Sequence, residues 1–161
     1  MQNITIIAVG KGSKDYLGTA CDEYIKRLKP MCNLKIVEIP HENLPEKNLS
    51  RRQIAKALDK EGDRVLAAIP AKSYIIPLCV EGGQMSSENF ARLLRQKAVE
   101  GYSDICFIIG SSHGLADKVK YKGNMKLSFS QMTFTHGMAK FIILEQVYRA
   151  LSINTGGKYH K

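Results

Sequence analysis

Short apolar runs rich in β-branched residues alternate with longer segments of helical periodicity along this chain. The first run covers residues 4–9 (ITIIAV), a helical pattern follows over residues 15–29, and a second run covers residues 34–39 (LKIVEI). A strand, a helix and a second strand in that order form a βαβ unit, in which the two strands lie parallel. The alternation therefore predicts an α/β fold with a largely parallel sheet.

The rest of the chain continues the alternation. We predict helices over residues 50–69, 86–100 and 136–151, and strands over residues 73–80, 104–109 and 125–129. Pro77 lies within one of these strands, and because proline lacks the N–H of a ladder, that strand should end, bulge or lie at a sheet edge. No repeat and no long linker interrupts residues 1–161, so a single domain is expected.

Composition narrows the class of protein. With 161 residues, 44% hydrophobic and 24% charged, the chain has the composition of an ordinary globular domain. No stretch approaches the roughly 18 apolar residues that a membrane span needs, and the start, MQNITIIAVGKGSKDYL, lacks the features of a signal peptide. A cytoplasmic location is expected.

Cysteine and histidine spacing argues against a metal site. The chain contains four of each: Cys21, Cys32, Cys79, Cys106, His41, His113, His136 and His160. There is no C-x-x-C, H-x-x-x-H or H-E-x-x-H pattern. We expect no protein-bound metal, and buried, reduced thiols at the two cysteines inside the apolar runs.

Positive charge is concentrated in the second half of the chain. The formal net charge is +9, with 13 basic against 10 acidic residues in positions 1–81 and 11 against 5 in positions 82–161. Lys118, Lys120, Lys122 and Lys126 stand close together beside a lone Asp117. Such a patch favours nucleic acid as a partner, although a solvated basic face that maintains solubility is an equal alternative.

One glycine pattern only weakly imitates a nucleotide site. Gly10 and Gly12 follow the first strand, and Glu38 lies near the end of the second, as in a dinucleotide-binding unit. The third glycine is missing, and Glu38 comes 28 positions after Gly10 instead of about 20. The spacing also excludes a P-loop.

Three segments at the ends of predicted strands form a better candidate site. They are residues 78–83 (LCVEGG), 109–114 (IGSSHG) and 127–134 (LSFSQMTF). Ligands of open α/β sheets bind beyond the carboxyl ends of the strands, and glycines let the backbone approach them. A pocket of amides, carbonyls and apolar side chains suits a flat adenine with a thioether or sulfonium. The alternative is that the three segments are ordinary turns without a ligand.

These segments also carry a family resemblance. LCVEGG with SSE, then FIIGSSHGL, LSFSQMTFTH, LEQVYRA and the terminal YHK together resemble the RlmH family of ribosomal RNA large-subunit methyltransferases, over the whole chain. The resemblance implies a SPOUT-type α/β fold, with a mostly parallel sheet, helices on both faces and a C-terminal trefoil knot. It further implies a homodimer that uses S-adenosylmethionine to methylate N3 of a pseudouridine in 23S rRNA of the assembled ribosome.

Site residues carry over from the same resemblance. It implies that Tyr159 and His160 act in catalysis, in a tail that helps complete the partner subunit's site. His160 is a candidate base or orienting group and Tyr159 a group that stacks on or hydrogen-bonds the target base, unless the tail only docks. The implied cofactor-binding residues are Leu78, Gly110, Phe129, Ser130, Gln131, Met132, Thr133 and Phe134. Our candidates for contacts with RNA phosphates are Lys118, Lys120, Lys122 and Lys161.

The chain departs from the family pattern at four positions. Ser111 stands where a second glycine is usual, Thr135 and Gly137 replace proline and glutamine around His136, and Lys140 replaces arginine. These departures keep a second hypothesis open, a non-catalytic RNA- or ribosome-binding protein on the same fold.

Glu145 and Arg149 are four residues apart, which predicts either an ion pair on one helix or a supporting role at the site or dimer interface.

Overall fold

A computed structural model describes residues 1–161 and contains four strands and five helices. The strands are β1 (Gln2–Val9), β2 (Cys32–Ile39), β3 (Ser73–Gly83) and β4 (Asp104–Ile109). The helices are α1 (Tyr16–Leu28), α2 (Arg51–Ala68), α3 (Ser87–Val99), α4 (Asp117–Lys122) and α5 (His136–Asn154). The predicted alternation is confirmed, with the short helix α4 as an addition.

All four strands are parallel, in the order β2-β1-β4-β3. At the centre of the sheet Ile6 of β1 lies opposite Ile36 of β2 and Phe107 of β4. The segment Ile4 to Val9 is completely buried, as expected for a parallel strand with both faces covered. β3 is an edge strand, so the edge position predicted from Pro77 is confirmed.

Helices cover both faces of the sheet. Ile4, Ile6 and Phe107 belong to a core beneath α1, α3 and α5, whereas Ile7 and Ile108 belong to a second core beneath α2 and α4. Alternate residues of a strand point to opposite faces, so β1 and β4 supply both cores. Each large apolar side chain buried in this way contributes about 1.5–3 kcal/mol to folding.

The predicted strand at residues 125–129 is wrong, because only Leu127 pairs there. Its backbone forms isolated parallel bridges with both Leu78 and Gly83, and a Cβ on Gly82 would lie 2.6 Å from the carbonyl carbon of Leu127. A regular ladder along β3 is prevented by Pro77, which has no N–H to donate. Just before this segment, Asn124 pairs with β3 through its side chain, since the Ile75 amide donates to Oδ1 of Asn124 at 2.7 Å.

Side chains cap the helices where the sequence predicts their starts. Ser50 and Gln53 form a capping box at α2, with distances of 3.1 and 2.9 Å between the paired atoms. At α5 the hydroxyl of Thr135 accepts from the Met138 amide at 3.4 Å, so this departure from the family motif supplies a cap. None of the helices has the length and apolar character that crossing a membrane requires.

All four cysteines are free thiols. Cys21, Cys32 and Cys106 are buried, and burial raises the pKa of the Cys106 thiol to about 12. Cys79 is only half-buried, because it lies in β3 just past the last pair with β4 and lines an open cleft. The expectation of a buried thiol is therefore confirmed for Cys106 and wrong for Cys79.

Candidate functional site

A cleft of about 650 Å³ opens beyond the carboxyl end of β4 and beside the last residues of β3, where β3 extends past its pairing with β4. Three segments form its walls: residues 78–81, residues 109–115 and residues 127–136 without Gln131. Because neighbouring parallel strands end at the same edge of the sheet, the segments from β3 and β4 meet there. The predicted convergence of the three motif segments is confirmed.

Gly110 begins the tight turn 110–114 in this wall. A Cβ at Gly110 would lie 2.4 Å from the carbonyl oxygen of Gly114 and 2.9 Å from Cγ of Leu115. The turn closes through the Gly114 amide, which donates to the carbonyl of Ser111 at 2.9 Å. Any side chain at position 110 would force this turn open.

The opposite wall is a turn that its own serines hold in shape. Ser128 donates its hydroxyl proton to the Ser130 carbonyl at 2.8 Å, and the Met132 amide donates to Oγ of Ser130 at 3.0 Å. The hydroxyl of Ser130 therefore serves the turn, which leaves backbone groups and apolar surface facing the cleft. Seven of the eight predicted cofactor-binding residues line the cleft, and Gln131 does not. The seven are Leu78, Gly110, Phe129, Ser130, Met132, Thr133 and Phe134.

His136 at the start of α5 lines the cleft and has unused hydrogen-bonding capacity. Its Nδ1 lies 3.4 Å from the carbonyl oxygen of Gly110, whereas its Nε2 is buried without a partner. Buried polar atoms are rarely left unpaired, and the ring lies where this cleft and two neighbouring cavities meet. Sequence reasoning found His136 only through its motif, because the histidine spacing shows no pattern.

The acidic and glycine residues of the weak nucleotide pattern bind each other. Oε1 of Glu38 accepts from the Gly12 amide at 3.0 Å and lies 3.5 Å from Nζ of Lys140, which is 8% exposed. Glu38 is thus the counter-ion of a buried lysine, a role that explains its position near the end of β2 without a bound ribose. Lys140, one of the departures, has a structural partner.

Two of the four predicted RNA-binding lysines are already paired within the chain. Lys118 lies 2.8 Å from Asp59 and 2.5 Å from Asp63, and hydrogen bonds to these two carboxylates raise the pKa of Lys118. Lys120 lies 2.5 Å from Glu81. Their charges are compensated locally, whereas Lys122 and Lys161 are exposed.

The terminal segment lies against α1 and α5. The Tyr159 hydroxyl donates to Oε1 of Glu145 at 3.1 Å, and its ring packs edge-on against Tyr148 with centroids 4.8 Å apart. Glu145 also binds the Arg149 guanidinium, so the predicted ion pair is confirmed. Burial, followed by hydrogen bonds with Tyr24 and Glu145, raises the pKa of Tyr159 well above its usual range.

His160 is held between two helices. Its Nε2 lies 2.8 Å from Oε1 of Glu88 on α3, and its Nδ1 lies 3.3 Å from Nη1 of Arg149 on α5. Since arginine can only donate, Nδ1 is the acceptor and Nε2 carries the proton given to Glu88. The cleft of the same chain includes neither Tyr159 nor His160 in its lining.

Comparison with known proteins places this architecture in a family. Residues 2–160 match a family model described as a predicted SPOUT methyltransferase. Relatives named ribosomal RNA large subunit methyltransferase H come from Clostridioides difficile (strain 630), Halothermothrix orenii and Carboxydothermus hydrogenoformans. They are 46%, 46% and 45% identical to this chain, over 99%, 98% and 98% of its length and 99% of theirs.

Solved structures share the fold at low sequence identity. A probable methyltransferase from Bordetella pertussis Tohama I superposes with a TM-score of 0.56 at 14% identity, covering 93% of this chain and 95% of its own. A probable methylase family protein from Haemophilus influenzae Rd KW20 gives 0.54 at 13% identity, covering 99% of this chain and 71% of its own. The arrangement of sheet and helices is therefore one that known proteins adopt.

Proposed function

Since this chain belongs to the SPOUT methyltransferases and, within them, to the family of ribosomal RNA large subunit methyltransferase H, we propose that it methylates N3 of a pseudouridine in 23S rRNA of the assembled ribosome. The methyl donor is S-adenosylmethionine. The observation that carries the proposal is the 650 Å³ cleft built from the three family motifs at the carboxyl edge of the sheet.

The chemistry of the cleft fits the methyl donor. Leu78, Ile109 and Leu127 supply apolar surface for an adenine and a thioether, and the turns on both sides supply backbone amides and carbonyls. The imidazole of His136 lines the same cleft. When bound, the donor supplies a methyl group on a sulfonium, which leaves as a neutral thioether.

Methyl transfer would form a bond between N3 and the methyl carbon as the bond from sulfur to that carbon breaks, and the N3 proton would pass to water. Placing N3 in line with that bond in a dry cleft contributes most of the rate, on the order of several powers of ten. The raised pKa of Tyr159 keeps its phenol protonated, which favours a hydrogen-bonding role over a basic one. Because Arg149 occupies the Nδ1 lone pair of His160, the contacts favour an orienting role for His160 over that of the base.

The proposed assembly is a homodimer in which each tail helps complete the partner's site. Its support is the apolar surface left exposed near the cleft: Val80 is 45% exposed, Met132 is 75% exposed and Met138 is 38% exposed. Val80 and Met132 both line the cleft, and exposed apolar patches are typical of protein interfaces. A second copy would cover these side chains and bring its tail to the cleft.

We also propose the trefoil knot at the carboxyl end of the sheet. It is supported by the close approach of residues 78–83 to Leu127, which bridges to both ends of that segment. The near contact of Gly82 with the Leu127 backbone leaves no space between the two chain segments. Threading one segment through the other accounts for such an approach.

For RNA, the exposed Lys122 and Lys161 are the proposed phosphate contacts, and the paired Lys118 and Lys120 take a lesser part. A ribosomal substrate agrees with the predicted cytoplasmic location. The non-catalytic alternative is not favoured, because the turns at Ser111 and Thr135 are intact despite the departures from the family motif.

Calorimetric titration of the full chain with S-adenosylmethionine tests the proposal. We expect one site per chain and displacement of the donor by S-adenosylhomocysteine, whose flat base and thioether fit the same cleft. A chain that binds neither compound, while folded by circular dichroism, would contradict the proposal.

A further inference from the structure

Behind the cleft, α2 presents a carboxylate that the proposed reaction does not use. Glu61 is only 5% exposed, and each of its oxygens accepts one hydrogen bond. Oε1 accepts from the hydroxyl of Ser111 at 2.8 Å, and Oε2 accepts from the Glu42 amide at 3.0 Å. Both donors are neutral groups, so the buried carboxylate depends on each of them.

The hydrogen bond between Ser111 and Glu61 reaches the most constrained part of the cleft wall. Ser111 follows Gly110, whose carbonyl contacts His136, and its own carbonyl closes the turn with Gly114. The turn separates two cavities, the 650 Å³ cleft on one side and a cavity of about 460 Å³ on the other, which Glu61 also lines. A turn with empty space on both sides needs a contact that fixes its position.

We infer that Glu61 is a positioning residue for the methyl donor, which acts through the Ser111 hydroxyl to hold the turn 110–114 at the width that the donor requires. The inference rests on the proposed function. Without this bond the turn can move into the second cavity, which widens the cleft and weakens donor binding.

Three substitutions test the bond in the full-length protein. Ser111→Ala removes the hydroxyl that donates to Glu61 and leaves a buried carboxylate oxygen unpaired. We therefore expect S-adenosylmethionine to bind about tenfold more weakly. Ser111→Thr keeps a hydroxyl that can donate to Glu61. Its affinity for S-adenosylmethionine should therefore lie within about twofold of wild type. Glu61→Gln should also stay close to wild type, because its amide oxygen can accept from Glu42 while its N–H donates to the Ser111 oxygen.

The kinetic pattern distinguishes positioning from general support of the fold. In steady-state methyl transfer, Ser111→Ala should raise KM for the donor about tenfold with kcat changed less than about twofold at saturating donor. Glu46→Gln, at an exposed glutamate, is the matched control and should equal wild type. Thermal unfolding without ligand shows whether each variant is folded, and Ser111→Gly is a second variant without a hydroxyl should Ser111→Ala not fold.

The outcomes separate this inference from the proposed function. If wild type binds the donor and Ser111→Ala binds it equally well, the positioning role is wrong and the proposed function stands. A fall in affinity that Ser111→Thr does not rescue also contradicts the role of the hydroxyl. If wild type itself binds no donor, the proposed function fails first and the inference fails with it.

Discussion

The hydroxyl groups of Tyr24 on α1 and Tyr159 in the terminal segment lie 2.7 Å apart. Because Tyr159 gives its single proton to Glu145, Tyr24 must be the donor of this pair. The bond joins two helices and the chain terminus through a single phenol. It is the contact by which the first helix determines where the tail lies.

Removing this contact should loosen the tail. Tyr24→Phe deletes the donor but keeps the ring, so we expect the tail to be destabilised by about 1 kcal/mol, the usual net value of one hydrogen bond. Hydrogen exchange at Gly156 and Gly157, whose amides bond to the Ile153 and Ser152 carbonyls at the base of the tail, should then be faster by roughly fivefold. The matched control is Tyr16→Phe on the same helix, since Tyr16 is 78% exposed. Equal exchange in both variants would contradict the contact.

Alkaline pH should weaken the tail through Tyr159. Its pKa in the folded chain is raised above the ordinary value of 10.0, so the unfolded chain loses the phenolic proton first. The stabilisation is fully present below the unfolded pKa and is lost as pH rises toward the folded one. Relative to Tyr159→Phe, the wild-type free energy of unfolding should be constant up to about pH 9 and fall above about pH 10. Parallel curves for the two proteins across this range would refute the assignment.

A side chain at Gly110 should abolish donor binding. In Gly110→Ala the new Cβ meets the Gly114 carbonyl at 2.4 Å, which forces the turn to open and costs about 1–3 kcal/mol in strain. Gly83→Ala is the control, because a Cβ there comes no nearer than 4.0 Å to the Lys126 oxygen. Calorimetry should detect S-adenosylmethionine binding in the control only. If a folded Gly110→Ala protein bound S-adenosylmethionine normally, the turn would not be part of the binding site.

Salt dependence should separate the exposed lysines from the paired ones. Lys122→Ala should reduce the slope of log affinity for ribosomes against log salt concentration by about one, because one phosphate contact is lost. Lys118→Ala should leave the slope nearly unchanged, since Lys118 is neutralised by Asp59 and Asp63. Lys47→Ala, exposed in the loop before α2, is the control. The reverse order for Lys122 and Lys118 would show that the ion pairs open on RNA.

Local patterns were sufficient to predict most of the fold. The continuous apolar runs of β1 and β4 mark strands buried on both faces, and Ser50 with Gln53 marks the start of α2. The strand expected at residues 125–129 did not form, because its pairing depends on Pro77, about fifty positions away in the chain. Hydrophobic periodicity contains no information about such a partner.

The site was predictable only in part for the same reason. The motifs predicted the cleft-lining residues Leu78 and Gly110. Glycines at the ends of predicted strands indicate where a ligand can approach the backbone, and both features can be identified within a short stretch of sequence. The bond between Glu61 and Ser111 spans 50 positions, and that between Tyr24 and Tyr159 spans 135. Neither pair has a spacing that sequence reasoning could detect, so only the folded chain reveals them.

Transfer of labelled methyl from S-adenosylmethionine to ribosomes that lack this modification tests the central claim most directly. The full chain is compared with one that ends at Lys158, and the labelled nucleotide is located by mass spectrometry of the digested rRNA. We expect label on N3 of one pseudouridine in 23S rRNA with the full chain. The truncated chain should transfer none but still bind the donor, because its cleft contains no tail residue. A full chain that binds the donor yet leaves the 23S rRNA unlabelled would contradict the account.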